Sequence, residues 1–475
     1  MSTINTNVSS LIAQRSFQTN TQSLTTSLQR LSTGLKINSG ADDPAGLIAS
    51  QALQAQQTGI SAAINNANQA TNVIGTASGG LNQVSSLLNQ LQGLVTQSAN
   101  TGALSSGEIA ANQLQVDSIL STINRVANST NFQGANLLDG SLGYTLSSAG
   151  TSAFGTISVN AANLPNSKAE AVVVQVTNSA TLGKVTYTGT NSQISASSVT
   201  LQIAGTTGSQ QLAFAGSSKL SAIAAAINNT TVNTGVSASA NGNALVFKSA
   251  DYGAKQFVSV TAVNTGTTFA VTGGSSGKAS GTDAKVNVNG AAATVAGTQV
   301  TYRNDNLDLS FKLSTGLNNG KTKTFGITGG GATFSLGATV GATGLASIGV
   351  QSVASGSLGD ASTGYLSTLG SGGVNSLSST NLSTAQTIVT EAINQVSTLS
   401  GRLGAFQKYT LGATINNLGV AYENISAANS AIADTNFSTE TANLTRAQIL
   451  QQASTTVLST ANSAPQVALT LLQHA

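Results

Sequence analysis

The stretch LQRLSTGLKINSGADDPAGL, residues 28–47, joins two kinds of sequence. Its first part continues a run of leucines, Leu24, Leu28, Leu31 and Leu35, separated by 4, 3 and 4 residues, the spacing of one helix face. Its second part interrupts that face. Gly34 and Gly40 weaken a helix, and Asn38 favours a turn. Asp43 followed by Pro44 reads as a new start, with Asp at the N-cap and Pro at the first helical position, where a missing N–H is no loss. Asp42 adds negative charge at the same positive helix end. The stretch therefore predicts helix, turn, helix, with Gly40, Asp42, Asp43 and Pro44 as a spacer between two helical layers.

Working outward, the helical period persists on both sides. Val8, Leu11 and Ile12 carry the first stripe back towards Ile4. Beyond the spacer, Ile60, Ile64, Ala67, Thr71, Ile74, Leu81, Leu88, Leu91 and Val95 fit a heptad a/d pattern. A third stretch, with Ile109, Val116, Ile119, Ile123 and Val126, follows the loop TGALSSG at 101–107. Ser105 or Ser106 is placed to cap it, with Glu108 near its positive end. The C-terminal residues mirror this. Val389, Ala392, Val396, Leu399, Leu403 and Phe406 step by 3 and 4. Leu411, Ile415, Leu418, Tyr422, Ile425 and Ile432 follow in a shifted register, so the step from Phe406 to Leu411 predicts a local change of twist. A last stripe runs through Leu450, Val457, Ala461, Ala464, Ala468 and Leu471.

Between about 140 and 375 the period changes to two. AVVVQVTNS (171–179), SSVTLQIAG (197–205), GNALVFKS (242–249), QFVSVTAV (256–263), AKVNVNG (284–290) and LDLSFKLS (307–314) read as antiparallel strands. Asn241-Gly242 and Asn289-Gly290 are hairpin turns by composition. One helix interrupts, SKLSAIAAAINN at 218–229, and 329–373 reads as loop or weak strand. The fold class is mixed α and β in separate domains. The terminal helices pair as coiled-coil and bundle layers, with a β-rich domain inserted in mid-chain. From periodicity alone the leucine stripe has two readings, an intramolecular coiled coil or a helix buried among neighbours in an assembly. Its shortage of e/g charges favours the second.

Composition narrows the chemistry. The 475 residues contain no Cys, no Trp, three Pro and one His. Disulfides and thiol nucleophiles are excluded. The one His, His474, is second from the C-terminus, which removes the two-His zinc motif and places a catalytic base poorly. Charged residues make up 7%, against about 25% in ordinary globular chains. Eighteen Lys+Arg against fifteen Asp+Glu leave +3, scattered singly, with no basic run that reads as a nucleic-acid site. The start, MSTINTNVSSLIAQ, lacks the basic and apolar regions of a cleavable signal peptide, and no apolar run approaches a membrane span. In the middle region Glu170, Asp251, Asp283, Asp305 and Asp308 are acidic. Asp305 and Asp308 in NDNLDL are too few oxygens for a calcium loop and read as a solvated turn.

LSTGLKINSGADDPAGLIAS (31–50), TQSANTG (96–102), NRVANSTNFQGANLL (124–138), the long block from Ile415 to Ser454 and APQVALTLL (464–472) closely resemble bacterial flagellin. The resemblance covers roughly the first 140 and last 100 residues. The text from Ser218 to Ala262 is similar to an insert of some flagellins and filament caps. The resemblance implies a structural subunit exported unfolded through the flagellar type III apparatus with its chaperone. It implies polymerisation with copies of itself, contact with hook-junction and cap proteins, and an extracellular place in the bacterial flagellum. No enzyme activity, cofactor, metal, nucleic acid or membrane partner is implied. Residues 1–42 with 436–475 would form the inner coiled-coil layer, Leu24, Leu28, Leu31 and Leu35 packing against Leu450, Val457, Ala461 and Leu471. Residues 43–165 with 376–435 would form a helical rod with a β-hairpin near 140–165, and 166–375 a surface-exposed β-rich insert. A hook-filament junction protein and an extracellular adhesin are the alternatives.

One departure is marked. Many flagellins carry an Arg-rich patch on the helix before QSAN, bound by a Toll-like receptor; here its equivalents are Gln90, Gln92, Gly93 and Leu94, with Ile119 at a position on the paired helix where the family often has Arg. Only Leu94 matches. The loss of guanidinium forks implies weak receptor recognition.

Overall fold

Helix α1 (Val8–Thr33) starts where the Asn7 side chain accepts the Ser10 N–H, and ends at Gly34, left-handed at φ 74°, whose N–H returns to the Arg30 carbonyl. In the computed structural model the described residues are all but 1–5, 101, 148–152, 165–168, 195–197, 264–268, 305, 315–319, 380 and 474–475. Described side chains further exclude 342, 465, 468–469 and 471–473, so Ile4, Asp305, His474 and the side chains of Ala468 and Leu471 lie outside the described residues. The remaining helices are α2 (Pro44–Ser98), α3 (Ser106–Ser129), α4 (Leu220–Asn228), α5 (Thr231–Thr234), α6 (Leu382–Ala405), α7 (Gly412–Ala433) and α8 (Phe437–Gln473). The chain forms two compact units, one of Met1–Gln69, Ser335–Gly344 and Leu411–Ala475, the other of Ala70–Phe334 and Leu345–Thr410.

The first unit holds α1, the start of α2, α7 and α8. Antiparallel pairing of α1 with α8 is its most extensive contact. Lys36 N–H donates to the Ala433 carbonyl at 2.7 Å and Thr435 N–H to the Gly34 carbonyl at 2.9 Å, tying the ends of α1 and α7 together. Residues 335–344 lie against α2, where a Cβ on Gly59 would come within 2.4 Å of the Ala338 carbonyl oxygen.

In the second unit the helices bury one heptad face each. On α2 this face runs Ile74, Ala77, Leu81, Val84, Leu88, Leu91 and Val95 in unbroken steps of three and four. On α3 it is Val116, Leu120, Ile123 and Ala127, and on α6 Ala385, Ile388, Val389, Ala392, Val396, Leu399 and Leu403. Ser105 caps α3 in a capping box with Glu108, whose carboxylate accepts from Ser105 N at 2.7 Å. The heptad break after α6 is a π-helical turn, Phe406–Leu411, which absorbs the extra residue between the two registers. Gly80 on α2 allows close approach, because an added Cβ would lie 2.7 Å from Leu138 Cδ1 and Thr130 Oγ1.

The β region contains two cores rather than one. The first sandwiches a five-stranded sheet (Ala291–Ala292, Lys285–Val288, Glu170–Asn178, Thr322–Gly330, Tyr144–Leu146) on a four-stranded one (Thr294–Ala296, Gln299–Arg303, Leu307–Leu313, Phe154–Ala162). Phe154 meets Phe311 and Phe325 edge to face at 5.1 and 5.5 Å. The second core packs the sheet Val271–Thr272, Lys184–Thr188, Ala244–Ser249, Val236–Asn241 with Lys278–Ser280, Phe257–Ala262, Ser198–Gly205, Ser209–Ala215, and includes α4.

Three expectations change. The β-hairpin near 140–165 is absent among the described residues: Tyr144–Leu146 pairs with Thr322–Gly330 and Phe154–Ala162 with Leu307–Leu313, in different sheets. The alternating face of Phe154, Val159 and Ala162 finds its apolar partners far along the chain, inside the sandwich. The turn at residue 241 shifts by one, since Asn241 pairs with Ala244 and leaves Gly242-Asn243 as the turn. Asn289-Gly290 turns as expected, with both φ positive. Asp308 is not a solvated turn residue. It accepts from Arg303 Nε at 2.7 Å and from Asn160 Nδ2 at 2.9 Å.

Candidate assembly surface

The α1–α8 seam follows a strict heptad on both helices, but not the leucine stripe. On α1 the buried and half-buried residues at heptad positions are Ser10, Ala13, Phe17, Asn20, Leu24, Ser27 and Leu31, with Thr21, Thr26 and Arg30 half-buried beside them. On α8 they are Glu440, Leu444, Ala447, Gln451, Ser454, Leu458 and Ala461, with Asn443 half-buried beside them. The most buried of these, Ala13, Ser27, Glu440, Ala447 and Ser454, are small or polar. Side chains bridge the seam. Asn7 Nδ2 donates to the Ala461 carbonyl at 2.7 Å, Ser10 Oγ to Asn462 Oδ1, and Asn20 Nδ2 to the Ser454 hydroxyl and the Leu450 carbonyl. Arg30 faces the buried Glu440 at 3.9 Å.

The leucine seam as read from spacing is therefore corrected. Leu24 and Leu31 lie half-buried on the seam, and Ala461 is half-buried opposite. Leu28, Leu35, Leu450 and Val457 stay exposed, at 50%, 39%, 45% and 57%. Val8, Leu11, Ile12, Ile449 and Val467 join them on the outer surface. Spacing identifies a helical face, but small residues let two helices come closest, so they take its most buried positions and leave Leu28, Leu450 and Val457 on the flanks. One flank forms a groove of about 390 Å³ lined by Ile12, Ala13, Leu450, Ala453 and Val457. Strict heptads at Ala13, Asn20 and Ser27 were the signal that reading by leucines missed.

The spacer is built by its two aspartates. Asp42 Oδ2 accepts from Ser39 N at 2.8 Å, Ser39 Oγ at 3.0 Å and Asn38 N at 3.1 Å. The Ser39 hydroxyl, then the Ser39 and Asn38 amides, hold its carboxyl below the usual value. Asp43 Oδ1 caps α2 by accepting the Gly46 N–H at 2.9 Å, with Pro44 opening the helix. Gly40 is not needed for its lack of a side chain, since an added Cβ would meet nothing nearer than 3.7 Å. Gly46 is: its Cβ would lie 2.5 Å from Asp43 Oδ2 and 2.6 Å from Ile37 Cδ1.

On the second unit, Gln90 and Gly93 are exposed on α2, while Gln92 and Leu94 are half-buried. Gln92 and Gly93 line a shallow surface groove with Asn89, Thr96, Gln97 and Asn100, a wholly uncharged set. Sequence reading also missed a polar link from α6 to the first β core. Arg402 donates to Asn160 Oδ1 and, at 2.7 Å, to the Gly349 carbonyl, and Asn160 passes the contact on to Asp308.

Comparison with known proteins completes the picture. Residues 4–142 match the bacterial flagellin N-terminal helical region, residues 386–472 the bacterial flagellin C-terminal helical region, and residues 200–251 the flagellin hook IN motif. The last match covers the strands and helices of the second β core from Leu201 through Ser249. Flagellin D of Vibrio anguillarum is 30% identical over 99% of this chain and 99% of its own. Polar flagellin F of Vibrio parahaemolyticus is 29% identical over the same shares. B-type flagellin of Pseudomonas aeruginosa is 41% identical over 36% of this chain and 34% of its own. With terminal helices flanking a β-rich middle along the sequence, the chain belongs to the flagellin family and is a structural subunit of a flagellar filament.

Proposed function

We propose that the α1–α8 pair is the inner assembly layer through which copies of this chain polymerise. The observation that carries this is the inverted seam: small and polar residues take its most buried positions, while Leu28, Val457 and Ile12 remain half or more exposed and Leu450 is 45% exposed. Apolar side chains left outside a two-helix pair are stabilised by further helices packed around it. The occupant of the Ile12–Leu450–Val457 groove is a neighbouring copy. The turn at Gly40, Asp42, Asp43 and Pro44 is the spoke to the next layer. Contacts repeated head to tail in this way extend without closing, which makes a filament.

The same reading places the chain outside the cell, exported unfolded by the flagellar apparatus with its chaperone and received by hook-junction and cap proteins. Absence of Cys and the presence of only three Pro support it, because neither bridges nor slow prolyl steps delay refolding. Recognition by the Toll-like receptor is weak, as Gln90 and Gln92 offer no guanidinium.

Seeded polymerisation tests the reading. The full chain, mixed with filament fragments, elongates them under the electron microscope, and a version lacking residues 1–42 and 436–475 does not. A full chain that stays monomeric with seeds while α1 and α8 are already folded refutes it.

A further inference from the structure

Small residues at heptad intervals make the α1–α8 seam degenerate. Ala13, Asn20 and Ser27 on one helix, and Ala447, Ser454 and Ala461 on the other, recur every seven residues. Sliding one helix by a heptad, about 10 Å, would again set small residue against small residue. The small positions alone therefore do not choose between the alignments. Backbone acceptors do not choose either, because every turn offers a carbonyl.

Besides the backbone links of Lys36 to Ala433 and Thr435 to Gly34 at one end, it is side chain to side chain pairs that break the degeneracy along the seam. Among the described residues there are three across this seam, Ser10–Asn462, Asn20–Ser454 and Arg30–Glu440, and all agree on one antiparallel alignment. They are not equal. Ser10–Asn462 is exposed to water, and Arg30–Glu440 is stretched to 3.9 Å. Asn20–Ser454 is part-buried, at the middle of the seam, with Ser454 at 9% exposure. Asn20 also donates to the Leu450 carbonyl, which the Ser454 hydroxyl shares as an acceptor at 2.6 Å. A slide by one heptad would put Asn20 beside Ala447 or Ala461, where no hydroxyl answers it. A polar residue at a single seam position is a known way to fix helix register.

We propose that Asn20, through Ser454, is the register-setting residue of the terminal helix pair. The inference rests on the assembly reading of that pair. The leucines on the outer flanks meet neighbours at the right height only in one register, so register within the chain sets register between chains.

The lack of cysteine allows a direct test. Gln18→Cys and Gln452→Cys, both at exposed positions, carry spin labels in filaments diluted with unlabelled chain of the same sequence. Electron–electron distances then report the alignment. The parent chain gives one distance. Asn20→Ala, which is small enough to be accommodated, and Asn20→Leu both add a second population shifted by a slide of about 10 Å. The swap Asn20→Ser with Ser454→Asn returns a single distance, which a general loss of stability would not explain. If Asn20→Ala and Asn20→Leu both keep the parental single distance, the proposal is wrong. Failure of the parent chain to elongate seeds instead counts against the assembly reading, and the distance is then read on the monomer, where the same outcomes decide the register proposal.

Discussion

Replacing Leu450 and Val457 by alanine together should raise the critical concentration for polymerisation far more than it changes the isolated chain. Leu450 is 45% exposed and Val457 57% exposed. Full burial of either side chain is worth about 1.5–3 kcal/mol, so the part still facing water represents about 1 kcal/mol each. If a neighbouring copy covers both, alanine forfeits about 2 kcal/mol per subunit added, which at ~1.4 kcal/mol per tenfold is a rise of roughly 30-fold in critical concentration. The isolated chain loses little, because surface changes of this kind usually fall within about 0.5 kcal/mol. Sedimentation of filaments at graded protein concentration gives the first quantity, and thermal melting of the monomer the second. A critical concentration within about threefold of the parent's, less than ~0.7 kcal/mol, would show that these side chains are not covered in the filament and would refute the inverted-seam argument.

Other consequences are more local. Gly46→Ala should break the α2 cap by driving a Cβ into Asp43 and Ile37, costing about 1–3 kcal/mol and exposing residues 38–46 to protease, whereas Gly40→Ala should leave digestion unchanged. Asp42 has its carboxyl held low by Ser39, so its support for the spoke is complete above the ordinary value near 3.8 and is lost as pH falls through the lower folded value. Hydrogen exchange at 38–43 should therefore differ between parent and Asp42→Ala at pH 6 and converge in strong acid; a constant difference across the range would contradict this. In receptor reporter cells the parent should signal weakly, and Gln90→Arg with Gln92→Arg should raise the response; a parent response equal to that of an enteric flagellin would rule the patch out as the cause.

The arrangement of the terminal pair suits a subunit that must be weak alone and strong in company. Its most buried positions are small or polar, and its polar pairs give direction more than stability. Most of the large side chains that would make a strong helix pair point outward. On α2 from Ile74 to Val95, and on α3 and α6, the apolar residues at heptad positions are instead buried within the chain.

Local sequence determined the helix boundaries, the spacer and the strands, because each depends on near neighbours. Asp43–Pro44 starts a helix wherever it occurs before a helical run, Ser105 with Glu108 caps one, and Asn289-Gly290 turns a chain back on itself. The heptads of α2 and α6 were legible for the same reason, since a stripe of large apolar residues has one outcome when its partners are in the same chain. Only the tertiary structure decided which face of α1 meets α8, that Phe154–Ala162 joins a strand about 150 residues away, and that Arg402 reaches Asn160. Each of these is a choice among partners that local propensity does not rank. In α1 the two candidate faces share Leu24 and Leu31 and differ by a rotation of about 40°, which puts Ser27 rather than Leu28 between them. Close approach through Ala13 and Ser27 selected between them, and that selection exists only when the second helix is present.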